Sequence, residues 1–141
     1  MSYARHAIFI ALFTATSVLA QGGGPQAPVN LKEAEAQGLQ RLSVEDLKAF
    51  IPGTHETTGT TGKSTRTFKP DGGYVRKAIK DFTGKWRFDE GKNGYCLDVH
   101  KQKGMDKTCF AVFRAREGNY YFDYELENGF YSHSWTPAKA E

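Results

Sequence analysis

The sequence predicts a mainly β fold: an antiparallel meander of about eight strands curled into a small barrel or barrel-like sheet, with one short N-terminal helix. Three observations predict it. From Thr54 onward, apolar and polar residues alternate with a period of two, as they do in strands that bury one face. Turn-forming residues recur at roughly ten-residue intervals, the spacing of consecutive hairpins. The two cysteines of the chain, Cys96 and Cys109, flank one of these turns.

The eight predicted strands are separated by segments rich in Gly, Asn and Asp, residues that favour turns. The strands span residues 54–60, 64–69, 74–80, 85–89, 95–101, 108–115, 120–126 and 130–136. Asn128-Gly129 is the strongest single hairpin signal, because both residues tolerate the positive φ angles of a two-residue turn. In the fourth strand, Trp86 and Phe88 share one face, which predicts that this face is buried.

The cysteines test the strand assignment independently, because a disulfide between Cys96 and Cys109 would fix one hairpin. Residue numbers that pair in an antiparallel hairpin sum to a constant, so this bridge centres the turn between Gln102 and Lys103. The register also turns both cysteines away from the core. The core face of the same hairpin then carries Leu97, Val99, Phe110 and Val112.

The predicted helix follows Ser43, which has the capping-box spacing to Asp46. Leu47, Phe50 and Ile51 supply its apolar face, and Pro52-Gly53 ends it. A helix this short is unstable alone, so we expect it to dock on the sheet.

The first 20 residues predict a secretory signal peptide. Arg5 precedes an apolar run at 7–19, and the run ends in small residues at Val18-Leu19-Ala20. Gln21 stands where a bacterial lipoprotein would need a cysteine. The sequence therefore predicts an exported protein of the periplasm or the extracellular space, in which conditions favour disulfides.

The rest of the chain is predicted to hold one domain. Residues 21–41, rich in Gly, Ala, Gln and Pro, predict a flexible linker, although Asn30 could cap a short helix over 32–37. Residues 42–136 form the predicted single disulfide-bonded β domain, and 137–141 a tail. After signal cleavage roughly 120 residues are left, which suffices for one modest core.

Composition and motifs exclude several functions. The formal net charge of +3 is spread along the 141 residues without a dense basic block, so nucleic-acid binding has no support. No segment after the signal is long and apolar enough for a transmembrane helix. The segment 59–64 lacks the first glycine of a phosphate-binding loop, and His55-Glu56 lacks the second histidine of a zinc protease motif. We expect no cofactor and no metal site.

A few polar residues are candidates for a site. Asp98 and His100 share one face of a predicted strand at positions i and i+2, and the fold could bring His133 close to them. Asp123 and Glu125 also share a face, and we interpret them as outward solubilising residues. The aromatic residues of the last two strands could line a ligand cavity, but core packing is the simpler interpretation.

Residues spread over 42–135 also carry a family resemblance. They are Leu42-Ser43, Leu47, Gly53-Thr54, Phe68-Lys69-Pro70-Asp71-Gly72, Gly84-Lys85-Trp86, Cys96, Cys109 and Gly118-Asn119-Tyr120. In this order they resemble a family of small exported bacterial proteins catalogued as domain of unknown function nine-nine-five, or a close relative of it. The family carries no agreed catalytic residues, so the resemblance implies none here.

The sequence therefore favours a non-enzymatic binding module whose partner is a small ligand or an envelope protein. A secreted protease inhibitor is one alternative, in which the segment 21–40 would enter a protease cleft. An exported hydrolase using Asp98 and His100 is another.

Overall fold

A computed structural model describes residues 26–99, 107–117 and 119–136. The predicted signal peptide, the predicted tail and His100 lie outside the described residues. Within them the chain forms two helices and nine strands. The helices are α1 (Leu31–Ala36) and α2 (Val44–Phe50). The strands are β1 (Gln40–Arg41), β2 (Gly53–Gly59), β3 (Gly62–Phe68), β4 (Gly73–Lys77), β5 (Phe82–Asp89), β6 (Gly94–Val99), β7 (Thr108–Arg114), β8 (Tyr121–Glu125) and β9 (Tyr131–Thr136).

Strands β2 to β9 form a closed antiparallel barrel of eight strands. Each strand pairs with its neighbours in sequence, and β9 pairs back onto β2, so that Glu56 lies opposite Thr136. The short strand β1 adds to β7 through Gln40 and Arg41. This up-and-down meander confirms the predicted fold class, and closure leaves the barrel without a free edge.

The cysteine hairpin has the register that the sequence predicts. Cys96 lies opposite Cys109, and their sulfur atoms are 2.04 Å apart in a disulfide. Tyr95 pairs with Phe110, and Leu97 with Thr108, so all three pairs share the predicted sum. The buried core cluster includes Leu97, Val99, Phe110 and Val112, which confirms the predicted core face.

Helix α2 closes one end of the barrel. The capping box of Ser43 and Asp46 is present in both directions, and it fixes the start of the helix. Leu47 and Ile51 are completely buried in the core cluster, and the Phe50 ring lies 5.4 Å from the Trp135 ring inside the barrel. The Ile51 carbonyl accepts a hydrogen bond from His55 Nε2 at 2.9 Å. The apolar face of the helix therefore seals this end.

The second half of the predicted linker over 21–41 is folded, and it contains the short Asn30-capped helix that the sequence left open, so the described chain has two helices. The Asn30 side chain caps α1, and Ala34 of this helix is completely buried. The helix lies outside the barrel in a second apolar cluster that includes Phe113, Phe122 and Tyr124. The low average hydropathy of residues 21–41 did not indicate that α1 packs on the barrel. A six-residue helix needs only a few apolar contacts to bind a complementary surface.

The same helix explains why the faces of β8 were misassigned. The alternation predicts one buried and one solvated face, but Phe122 and Tyr124 face outward and are covered by the second apolar cluster. Asp123 faces the barrel interior and is completely buried. The prediction that Asp123 is an outward solubilising residue is therefore wrong. A strand that is covered on both sides does not show the usual polar face.

Candidate functional site

The centre of the barrel contains a buried arginine, Arg66 of β3, whose side chain is 1% exposed. Its Nε donates to the Tyr74 hydroxyl at 3.0 Å, and its Nη2 donates to the Tyr95 hydroxyl at 3.0 Å. Its Nη1 donates to Asp123 Oδ2 at 3.2 Å. Three different strands thus supply acceptors for this one guanidinium.

The carboxylate of Asp123 completes this central network. Its Oδ2 also accepts a hydrogen bond of 2.5 Å from the Tyr95 hydroxyl. Its Oδ1 accepts from the backbone N–H of His133 at 2.6 Å. A buried ion pair is tolerated only when its remaining polar atoms are hydrogen-bonded, and both oxygens of this carboxylate are.

Aromatic rings surround the Arg66 cation. The guanidinium carbon lies 4.6 Å from the ring centroid of Trp135 and 5.2 Å from that of Phe68. The rings of Tyr74 and Tyr95 are slightly farther away, at 5.7 and 5.9 Å. The negative faces of these rings compensate part of the hydration that the cation loses on burial.

The pKa values of Tyr95 and Arg66 are shifted so that both side chains stay protonated. Burial raises the pKa of Tyr95 well above its usual value; the Arg66 charge opposes this shift and the Asp123 charge adds to it, so that Tyr95 stays a hydrogen-bond donor. Burial opposes the charged form of Arg66, but Tyr95, Tyr74 and Asp123 outweigh it and raise the pKa of Arg66. We infer that the network holds the barrel wall together and that Tyr95 and Arg66 keep their protonation states at neutral pH.

Two histidines also face the interior. Burial lowers the pKa of His133 well below its usual value, and the nearby cations Arg66 and Arg76 lower it further. Burial also lowers the pKa of His55, although its hydrogen bond to Ile51 acts in the opposite direction. Both imidazoles are therefore neutral in the folded chain at neutral pH.

This neutrality predicts that acid destabilises the fold. As the pH falls below about 6.5, the unfolded chain takes up protons at these histidines and the folded chain does not. The folded-to-unfolded ratio should fall by up to about tenfold per pH unit for each histidine while it stays neutral in the barrel. Urea denaturation between about pH 7.5 and pH 5.5 measures this slope. His133→Gln should make it shallower, and equal slopes in the two proteins would contradict the assignment.

A second arginine faces the interior beside Arg66. Arg76 of β4 pairs with Arg66 across the strand boundary, and alternation places its side chain on the inner face with Tyr74. Its guanidinium carbon lies 5.8 Å from the ring centroid of Phe82. The buried Nε of Arg76 has no hydrogen-bond partner. Within the described residues Arg76 also has no carboxylate within ion-pair distance, in contrast to the fully paired Arg66.

The candidate residues from the sequence do not form one site. Asp98 lies opposite Lys85 on the outer face of β6, where it lines a cleft of about 720 Å³ beside Cys96 and Arg87. The side chain of His133 is buried inside the barrel, 3.7 Å from Asp123 Oδ1. The barrel wall therefore separates Asp98 from His133. The predicted partner of Asp98, His100, is outside the described residues.

Sequence reasoning missed the three charged residues of the interior: Arg66, Asp123 and Arg76. One signal was available, because Arg66 occupies the same strand face as Phe68, two positions away in a predicted strand. Asp123, which pairs with Arg66, is 57 residues away from it in the sequence, so no local pattern connects the two residues.

The geometry also bears on metal binding. In the described part of the chain, Asp89, Cys96 and Cys109 are the one group whose potential ligand atoms lie close together. Both sulfur atoms of this group are bonded to each other, so they are not available as thiolate ligands.

The fold and the site define an eight-stranded up-and-down β-barrel with a charged, hydrogen-bonded centre. A scan of protein-family models and searches of curated proteins and of solved structures found no match to the chain. The resemblance to the domain-of-unknown-function family stays a prediction. Among the described residues, no helix has the length and apolar character needed to cross a membrane.

Proposed function

We propose that the chain is an exported, non-enzymatic binding protein that takes a small molecule inside the barrel. The binding site lies toward the distal end, defined as the end opposite α2, where the turns at 60–61, 78–81 and 126–130 lie. Barrels of eight strands are either filled by their side chains or hold one small ligand. The proposal places the ligand beyond the central network, where α2 does not obstruct entry.

One observation carries this proposal: the interior-facing Arg76 has a buried Nε without an acceptor. A buried donor without a partner costs free energy, and such a cost is usually retained where a ligand or an ordered water satisfies the group. The neighbouring Arg66 shows the contrast, because all three of its nitrogens donate to protein acceptors.

Three further observations support the other parts of the proposal. The Cys96–Cys109 disulfide favours an exported protein, because such bonds persist in oxidising compartments. The separation of Asp98 from His133 removes support for a hydrolase that would use both. The central Tyr95 and Arg66 hold their protons tightly, which is unfavourable for acid–base catalysis near neutral pH.

A backbone amide NMR titration tests the proposal. The chain from Gln21 onward is mixed with a set of small aromatic and aliphatic compounds that are neutral, anionic or cationic. We expect at least one compound to cause saturable shifts that cluster at Arg76, Phe82, Val99 and His133. An absence of saturable shifts with every compound, or shifts confined to the outer cleft around Asp98, would contradict the proposal.

A further inference from the structure

We propose that Arg76 recognises the carboxylate group of a small organic acid, so that the ligand of the barrel is a monoanion with an apolar part. This inference rests on the proposed function, because it names the chemical class of the same ligand.

The charges inside the barrel favour a ligand that carries one negative charge. Arg66 and Arg76 occupy directly opposite positions on the inner faces of β3 and β4, and like charges in such pairs destabilise a sheet. Asp123 compensates Arg66. The other carboxylate on this face of β8, Glu125, accepts a hydrogen bond from Asn128 Nδ2 in its own turn at 2.5 Å. One positive charge, that of Arg76, is therefore left without a partner in the described part of the chain.

The shape of the guanidinium favours a planar oxyanion. Arginine presents its donors in a flat fork that matches the two oxygens of a carboxylate, and such paired hydrogen bonds are stronger than neutral ones. The Phe82 ring lies beside the guanidinium of Arg76 and restricts its orientation. A donor group that is already oriented loses less entropy when it binds an anion.

The surface next to Arg76 favours an apolar part in the ligand. Phe82 is half-buried and packs against the core cluster, and Val99 of that cluster is on the same inner face. Inorganic phosphate would use the cation but leave this apolar surface without a contact. A carboxylate attached to a short chain or a ring would use both.

Isothermal titration calorimetry at low ionic strength tests the inference with matched pairs of probes. Benzoate and hexanoate are compared with their neutral counterparts, benzamide and hexanamide, and with inorganic phosphate. We expect at least one carboxylate to bind at least tenfold more tightly than its amide and more tightly than phosphate. Equal binding of acid and amide, tighter binding of phosphate, or no binding of either acid would overturn the inference.

Three variants locate the interaction. Arg76→Gln should weaken binding of the carboxylate at least tenfold and leave binding of the amide unchanged. Arg76→Lys keeps the charge but lacks the planar fork, so we expect an intermediate affinity. Arg87→Gln is the matched control, because the Arg87 side chain is 63% exposed. A carboxylate affinity that is unaffected by Arg76→Gln would contradict the assignment.

Thermal denaturation separates this role from a structural one. Because Arg76 faces another arginine, Arg76→Gln should leave the melting temperature of the free protein unchanged or raise it. A large decrease would instead assign Arg76 to the packing of the fold. If compounds bind inside the barrel without a preference for carboxylates, the proposed function survives and this inference fails.

Discussion

Asp123→Asn should lower the free energy of unfolding by about 3–5 kcal/mol, the largest loss that we expect from a single substitution here. Asp123 is completely buried and forms the ion pair with Arg66 at 3.2 Å. The amide keeps the size of the side chain but removes its charge. Arg66 would then be a cation inside the barrel without a counterion, which costs much more than the net value of the original pair.

Two control proteins isolate this effect, and urea denaturation monitored by tryptophan emission measures it. Asp98→Asn removes a carboxylate from the outer face and should change the stability by less than about 0.5 kcal/mol. The double variant Arg66→Met with Asp123→Leu removes both charges and should recover much of the loss, because the unpaired charge is gone. Equal stabilities of Asp123→Asn and Asp98→Asn would contradict a buried ion pair.

Reduction of the Cys96–Cys109 disulfide should lower the free energy of unfolding by about 3 kcal/mol, since the bond closes a short loop in the unfolded chain. For a domain of this size, that loss corresponds to a decrease in melting temperature of roughly 10 °C. The double variant Cys96→Ala with Cys109→Ala should lose a similar amount and should no longer respond to reductant. An unchanged melting temperature after complete reduction would contradict the expected contribution.

The short pairing between β6 and β7 means that reduction of the disulfide should destabilise this hairpin more than the rest of the barrel. In the described residues these strands pair at three positions only, whereas β2 and β3 pair at seven. Amide hydrogen exchange near Tyr95 and Phe110 should therefore accelerate more on reduction than exchange in β2 and β3. Uniform acceleration throughout the barrel would contradict this local role.

The meander of strands was predictable from sequence because its determinants are local. Turn residues recur between alternating segments, and Asn128-Gly129 and the cysteine register each fix a hairpin without knowledge of the rest. All eight predicted strands are present, and their bounds differ from the observed ones by a few residues. Barrel closure was left open by the sequence, because the pairing of β9 with β2 joins the two ends of the meander and no local pattern predicts it.

The candidate site was not predictable in the same way, because it depends on contacts between distant residues. Hydrophobic alternation assigns a charged residue to the solvent side, so it placed Asp123 outside the barrel. Its inward orientation depends on α1, which covers Phe122 and Tyr124 on the other face. Asp123, the partner of Arg66, lies 57 residues away along the chain, and a single sequence does not reveal such pairs.

The central claim is that two arginines face the same interior with different roles. Arg66 donates hydrogen bonds to protein side chains, and Arg76 binds the carboxylate of a ligand. The Nε–H resonances of both side chains in a nitrogen-15 NMR spectrum test this most directly. The Arg66 signal should be protected from exchange with water and unaffected by benzoate, whereas the Arg76 signal should shift saturably. A rapidly exchanging Arg66 signal, or an Arg76 signal that does not respond to any carboxylate, would contradict the claim.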